Sequence, residues 1–182
     1  MSVEAVVLTG GQSRRMGKDK ASILIKGEAM HVRLVRMLET AGFPTTVLGP
    51  QGVADLEPDS GPLRALAAFR PDHDWVFVCS CDLPLFDPAV VGVLRAQADG
   101  YDAVVPSLEG RLQPLAALYS NVAFDIARGF DAGEGRMMEW VRALKVCEVT
   151  DEDLAASGLQ PGSVASANTP EEWQALRTKG GL

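Results

Sequence analysis

The sequence predicts an α/β fold, a mostly parallel sheet with helices on both faces, and three observations predict it. Short, β-branched apolar runs of strand length alternate with segments whose apolar residues recur at helical spacing. The run at 75–81, WVFVCSC, is nearly continuously apolar, as a strand covered on both faces should be. Helix signals stand at the junctions, with Asp87-Pro88 as a start and Gly42 as a stop. Parallel neighbours need crossover connections, almost always right-handed, so this alternation stacks helices on both sides of one sheet.

Taken in order, residues 3–8 are an apolar run bounded by Gly10-Gly11 and too short for a helix that buries a stripe, which predicts a buried strand. From 28 to 41, Met30, Leu34, Val35, Leu38 and Ala41 repeat at helical spacing. A short strand at 45–48 precedes a helix at 62–69, with Asp59 and Ser60 as caps. Strand 75–81 leads into a helix from Asp87-Pro88 to Ala98. Beyond Gly100 come strands at 103–105 and 115–119, helices at 122–128 and 136–144, a last strand at 145–149, and a closing helix at 170–177 capped by Thr169. Pro161-Gly162 reads as a surface loop. No internal repeat, low-complexity tract or linker interrupts residues 1–182, so one domain is expected.

At 182 residues, 47% hydrophobic, the chain is long enough to bury a sizeable core. Its 17 Lys and Arg stand against 24 Asp and Glu, a net charge of -7, which argues against nucleic acid and anionic membrane as partners. No apolar run approaches the roughly 20 residues a bilayer needs, so a cytoplasmic protein is expected. Three cysteines make no disulfide framework, and Cys79 and Cys81, without a second pair or a nearby histidine, read as small buried hydrophobes.

Against that acidic background, LTGGQSRRMGKDKA (residues 8–21) concentrates Arg14, Arg15, Lys18 and Lys20 among three glycines. It leaves the first strand at the carboxyl edge of the sheet, where open α/β sheets collect ligands. Glycines let backbone N–H groups approach an anion, and Arg15 and Lys20 add fixed charge, so a polyphosphate is the fitting ligand. It is neither a P-loop nor a dinucleotide fingerprint. Five residues stand between Gly11 and Gly17, where a P-loop has four, Lys18 precedes Asp19, and no third glycine follows Gly10-Gly11 in register. A solvated turn with incidental charge is the plain alternative. Asp82 ends the 75–81 run at the same edge, and since Asp87-Pro88 already starts the next helix, no structural task falls to it from sequence. One carboxylate there suits Mg²⁺, which keeps several waters and takes other ligands from phosphates.

The segment LTGGQSRRMGKDK resembles the L-x-G-G-x-S-x-R-M-G-x-D-K signature of the MobA-type molybdenum cofactor guanylyltransferases. SGPLRAL (60–66), CDLP (81–84), QPL (113–115) and NTPEE (168–172) follow in that family's order, so the resemblance covers essentially the whole chain. It implies a Rossmann-like, nucleotide-diphospho-sugar transferase-like fold and transfer of GMP from GTP to the terminal phosphate of molybdopterin or its molybdenum-bearing form, releasing pyrophosphate. Molybdoenzymes would receive the product.

By the same resemblance, Leu8, Thr9, Gly10 and Gly11 hold the nucleotide, Arg15 and Lys20 the departing phosphates, and Asp82 Mg²⁺. Asp55 contacts the nucleotide, Gly61, Pro62 and Leu63 enclose the purine, and Gln113, Arg136 and Asn168 face molybdopterin. Thr9-Gly10-Gly11 favours GTP over CTP. Two positions depart from the family: an Asn at the end of the second strand is absent at Leu48-Gly49-Pro50, and Ser166 stands where one of two C-terminal Asn residues is expected.

Nucleotidyl transfer needs an in-line nucleophile and neutralised charge rather than covalent chemistry from the protein, and an ionised phosphate needs no general base. His31 and His73, the two histidines, are accordingly read as structural or exposed. The rival readings are a CTP-dependent transferase of the same fold, a non-catalytic molybdopterin or nucleotide carrier, and a metabolite-binding α/β domain.

Overall fold

A computed structural model describes residues 1–9, 24–25, 27–52, 61–130, 137–167 and 169–180. The expectations for Gly10, Gly11, Arg15, Lys20, Asp55, Arg136 and Asn168 lie outside the described residues. In chain order the elements are β1 (Val3–Leu8), β2 (Leu24–Ile25), β3 (Glu28–Ala29), α1 (Met30–Thr40), β4 (Thr45–Leu48), α2 (Pro62–Ala68), β5 (Trp75–Ser80), α3 (Ala89–Ala96), β6 (Ala103–Leu108), β7 (Arg111–Leu112), β8 (Ala116–Ser120), α4 (Asn121–Ala127), α5 (Met137–Arg142), β9 (Val146–Val149), α6 (Asp151–Ala156), a 3-10 turn (Pro161–Val164) and α7 (Pro170–Gly180).

The main sheet runs β4-β1-β5-β8-β6-β7, with β9 pairing the other side of β6. β1 is parallel to both β4 and β5, and β6 is parallel to β9. β8 lies antiparallel between β5 and β6, and β7 antiparallel to β6. β4, β1, β5, β6 and β9 therefore point one way and β8 and β7 the other, which makes the sheet mostly parallel.

Strand periodicity sorts the apolar residues into two cores. Val3, Ala5, Val7, Phe77 and Cys79 face α1, α3 and α6 through Leu34, Leu38, Val91, Leu94 and Leu154. Val6, Leu8, Val76 and Val78 face α2, α4 and α5 through Leu63, Leu66, Phe124 and Trp140. Helices thus cover both faces, and β1 and β5, central in the sheet, are buried along almost their whole length. Trp140 stacks on Tyr119 with ring centroids 4.6 Å apart, and its indole N–H donates to the Ala123 carbonyl at 3.0 Å, which satisfies the polar end of a fully buried ring. Cys79 and Cys81 are both buried free thiols, and burial pushes the Cys79 thiol far up, so Cys79 behaves as an inert hydrophobe.

Three local expectations need correction. The first helix begins at Met30 and not at 28, because Glu28 and Ala29 pair antiparallel with Leu24 and Ile25 across a turn at Gly27, whose φ is 85°. Glu28 is then free to take a two-pronged hydrogen bond from Arg36, at 3.0 and 2.9 Å. The third helix ends at Ala96, with the Asp87 carboxylate accepting the Ala89 N–H at 2.9 Å as expected of a cap. Pro161-Gly162 does not form a surface loop. It opens a 3-10 turn that buries Ser163 and Val164, and a Cβ added to Gly162 would sit 3.3 Å from the Leu85 side chain. Among the described residues no helix is long and apolar enough to cross a membrane.

Candidate active site

Parallel pairing brings strand ends to one edge. Leu8, Leu48 and Ser80 share a rung, so β1, β4 and β5 all finish at the same rim. β8, running the other way, starts there, and the Ser80 N–H donates to the Leu115 carbonyl at 2.9 Å. Leu8 points into the core and its carbonyl accepts the Cys81 N–H at 3.0 Å. Thr9 is buried and doubly tied to β4: its N–H and its hydroxyl both donate to the Leu48 carbonyl, at 2.9 and 3.1 Å. These two residues therefore make a fixed floor from which the basic segment departs.

Where the expected Asn is missing, the chain turns tightly. Gly49 has φ 118°, the Gly52 N–H donates to the Gly49 carbonyl at 3.0 Å, and a Cβ on Gly52 would overlap the Val47 carbonyl. Gly61, with φ 80°, opens α2 with Pro62 in its first turn, and Leu63 is buried in the core that also holds Leu8 and Leu48. Of the GPL run, Leu63 thus anchors the helix.

Asp82 lies two residues past the end of β5 with 8% of its surface exposed. The Ser80 hydroxyl donates to Asp82 Oδ1 at 2.5 Å, and the Asp82 carbonyl accepts the Ala167 N–H at 3.0 Å. The second bond brings the segment just before Asn168 to the rim. Gln113, just before β8, is held beside the end of β6: its N–H donates to the Pro106 carbonyl at 2.7 Å and its side-chain amide to the Arg111 carbonyl at 2.9 Å. The structure therefore gathers Leu8, Thr9, Asp82 and Gln113, with Ala167, the residue before Asn168, along one rim. His73 sits at the opposite edge, where its Nδ1 lies 3.7 Å from the buried Glu4 carboxylate, which accepts the Asp72 and His73 N–H groups.

Among the described residues no three His, Cys, Asp or Glu side chains cluster to hold a metal ion. A nearly buried carboxylate held by a hydroxyl fits the one ion type that needs little from the protein, a magnesium-like cation completed by water and phosphate oxygens. Sequence reasoning missed Ser80 and Ala167. A serine ending an apolar run carries no distinguishing signal before the turn that brings Asp82 beside it is known, and nothing local signals Ala167.

Residues 5–149 match the family model described as the MobA-like NTP transferase domain. The chain belongs to that family. It is an enzyme, a nucleotidyltransferase. A probable molybdenum cofactor guanylyltransferase of Opitutus terrae is 33% identical over 98% of this chain and 96% of its own length. Its counterpart in Pelotomaculum thermopropionicum is 29% identical over 94% of this chain and 90% of its own. Among solved structures, molybdopterin-guanine dinucleotide biosynthesis protein A of Archaeoglobus fulgidus superposes with a TM-score of 0.72 at 21% identity, covering 97% of both chains. The 2-C-methyl-D-erythritol 4-phosphate cytidylyltransferase of Thermus thermophilus gives a TM-score of 0.65 at 16% identity over the whole of both chains, a likeness of fold.

Proposed function

We propose that the chain transfers GMP from GTP to the terminal phosphate of molybdopterin, the molybdenum cofactor precursor or its metal-bearing form, with Asp82 holding Mg²⁺. An oxygen of the molybdopterin phosphate attacks the α-phosphorus of GTP and forms the new P–O bond. The bond from that phosphorus to the α,β-bridging oxygen breaks, and pyrophosphate leaves with its electron pair. The nucleophile is already ionised, so no residue is required to take a proton.

The observation that carries this reading is Asp82, a carboxylate fixed at the rim where β1 delivers the glycine-rich basic segment. When bound there, Mg²⁺ supplies neutralisation of triphosphate charge. The chain's own residues divide the remaining tasks. In this reading Gly10 and Gly11 offer main-chain N–H groups to the nucleotide, and Arg15 and Lys20 receive the departing phosphates. The family resemblance assigns Asp55 and the Gly61-Pro62 start of α2 to the nucleoside, with Leu63 anchoring that helix in the core, and Gln113, Arg136 and Asn168 to molybdopterin. The names of the full-length relatives support the choice of molybdopterin and guanosine.

The test is pyrophosphate release with each nucleoside triphosphate, with and without purified molybdopterin. Release with GTP that requires molybdopterin is the expected result. Preference for CTP would reassign the base, and tight GTP binding with no pyrophosphate formed would point to a carrier.

A further inference from the structure

β5 carries a hydroxyl to the rim at the position where a carboxylate can use it. Residues 75–79 are buried, and Ser80 is the last residue of the strand, its N–H held by Leu115 on β8. The chain turns at Cys81 and Asp82, and the Ser80 hydroxyl donates to Oδ1 of Asp82. The Asp82 main chain is fixed separately, through its carbonyl, by the Ala167 N–H. One bond thus holds the Asp82 main chain, and the other bears directly on its carboxylate.

A carboxylate has about four lone-pair positions on its two oxygens, more than the single Ser80 hydroxyl on Oδ1 occupies. Groups that hydrogen-bond a metal ligand commonly fix its orientation and change metal affinity by about 10- to 100-fold when removed. We infer that Ser80 is a positioning residue that turns the Asp82 carboxylate toward a divalent cation and thereby sets the affinity for that cation. The inference rests on the reading of Asp82 as the metal ligand. It concerns orientation, and is separate from the need of a nearly buried carboxylate for a hydrogen-bond donor, a purely structural role that would change melting temperature and leave cation affinity alone.

The experiment is Mn²⁺ titration followed by electron paramagnetic resonance in the presence of α,β-methylene-GTP, on the wild type and on Ser80→Ala, Ser80→Cys, Ser80→Thr and Asp82→Asn, with metal-free melting curves alongside. Removal of the hydroxyl in Ser80→Ala should raise the Mn²⁺ dissociation constant on the order of tenfold. Ser80→Cys, near in shape but a weak donor, should do the same should the alanine variant fold poorly. Ser80→Thr should stay within about twofold of wild type, since it keeps the hydroxyl. Wild-type Mn²⁺ affinity in the folded alanine or cysteine variant, alongside lost affinity in Asp82→Asn, overturns the role of Ser80 alone. Wild-type affinity in Asp82→Asn overturns the metal reading of Asp82, and the role of Ser80 with it.

Discussion

At Asp82 the amide of an Asn substitution keeps the shape and an oxygen able to accept the Ser80 hydroxyl, while the negative charge is lost. Asp82→Asn should therefore melt within a few degrees of the wild type, yet its kcat should fall at least about 10²-fold, or roughly 3 kcal/mol in the barrier, the scale of one strong preorganised electrostatic contact. Steady-state pyrophosphate release and a thermal melt on the same preparation check both halves. Asp82 was legible in sequence because it is a charged residue left at the end of an apolar run with the next helix already capped. Ser80 was not singled out, since a serine in that run looks like any small polar strand residue until the carboxylate is seen beside it. Thr9 is a milder case: the motif that contains it was legible, but the two bonds that tie it to Leu48 depend on β4 lying next to β1, which no local pattern specifies.

Among the elements, α6 carries a complete capping box. The Thr150 hydroxyl accepts the Asp153 N–H at 3.2 Å, and the Asp153 carboxylate accepts the Thr150 N–H at 2.9 Å and its hydroxyl at 2.7 Å. Those bonds, the hydroxyl's first and the N–H's second, hold the Asp153 carboxyl below its ordinary value. A depressed carboxyl stabilises the fold above its unfolded value and loses that contribution as pH falls through the folded one. Thr150→Ala should lower the melting temperature by about 3 °C near neutral pH. That deficit should shrink as the pH drops below the ordinary carboxylate range, which melts at neutral and acid pH would measure. The helix itself was not anticipated, because Leu154 is its one buried residue and no apolar stripe announces it. The β2–β3 hairpin escaped for a related reason: each strand has two residues, too few for any alternation to register. β1 and β5, in contrast, were read with their limits nearly right, since strands inside a mostly parallel sheet are buried on both faces and so read as nearly continuous apolar runs.

Across the whole molecule, the alternation of strands and helices specified the layers but not the order of strands within the sheet. β8, wedged antiparallel between β5 and β6, begins at the rim shared with Asp82 and carries the chain away from it, so QPL, just before β8, stands at that rim with the Gln113 N–H on the Pro106 carbonyl of β6. The C-terminal segment reaches the same rim from the other direction, with Val164 packed in the core and the Ala167 N–H on the Asp82 carbonyl. A chain with net charge -7 can hold a triphosphate only where its cations are gathered and a metal ion offsets the remaining charge. The proposed activity therefore comes down to whether a divalent cation sits between Asp82 and the phosphates. The most direct measurement is a crystal structure with Mn²⁺ and α,β-methylene-GTP, read by anomalous scattering. The account predicts a manganese peak roughly 2 Å from an Asp82 carboxylate oxygen, with phosphate oxygens completing the coordination. A manganese ion bound to the triphosphate but away from Asp82, with that carboxylate turned into the protein interior, would contradict it.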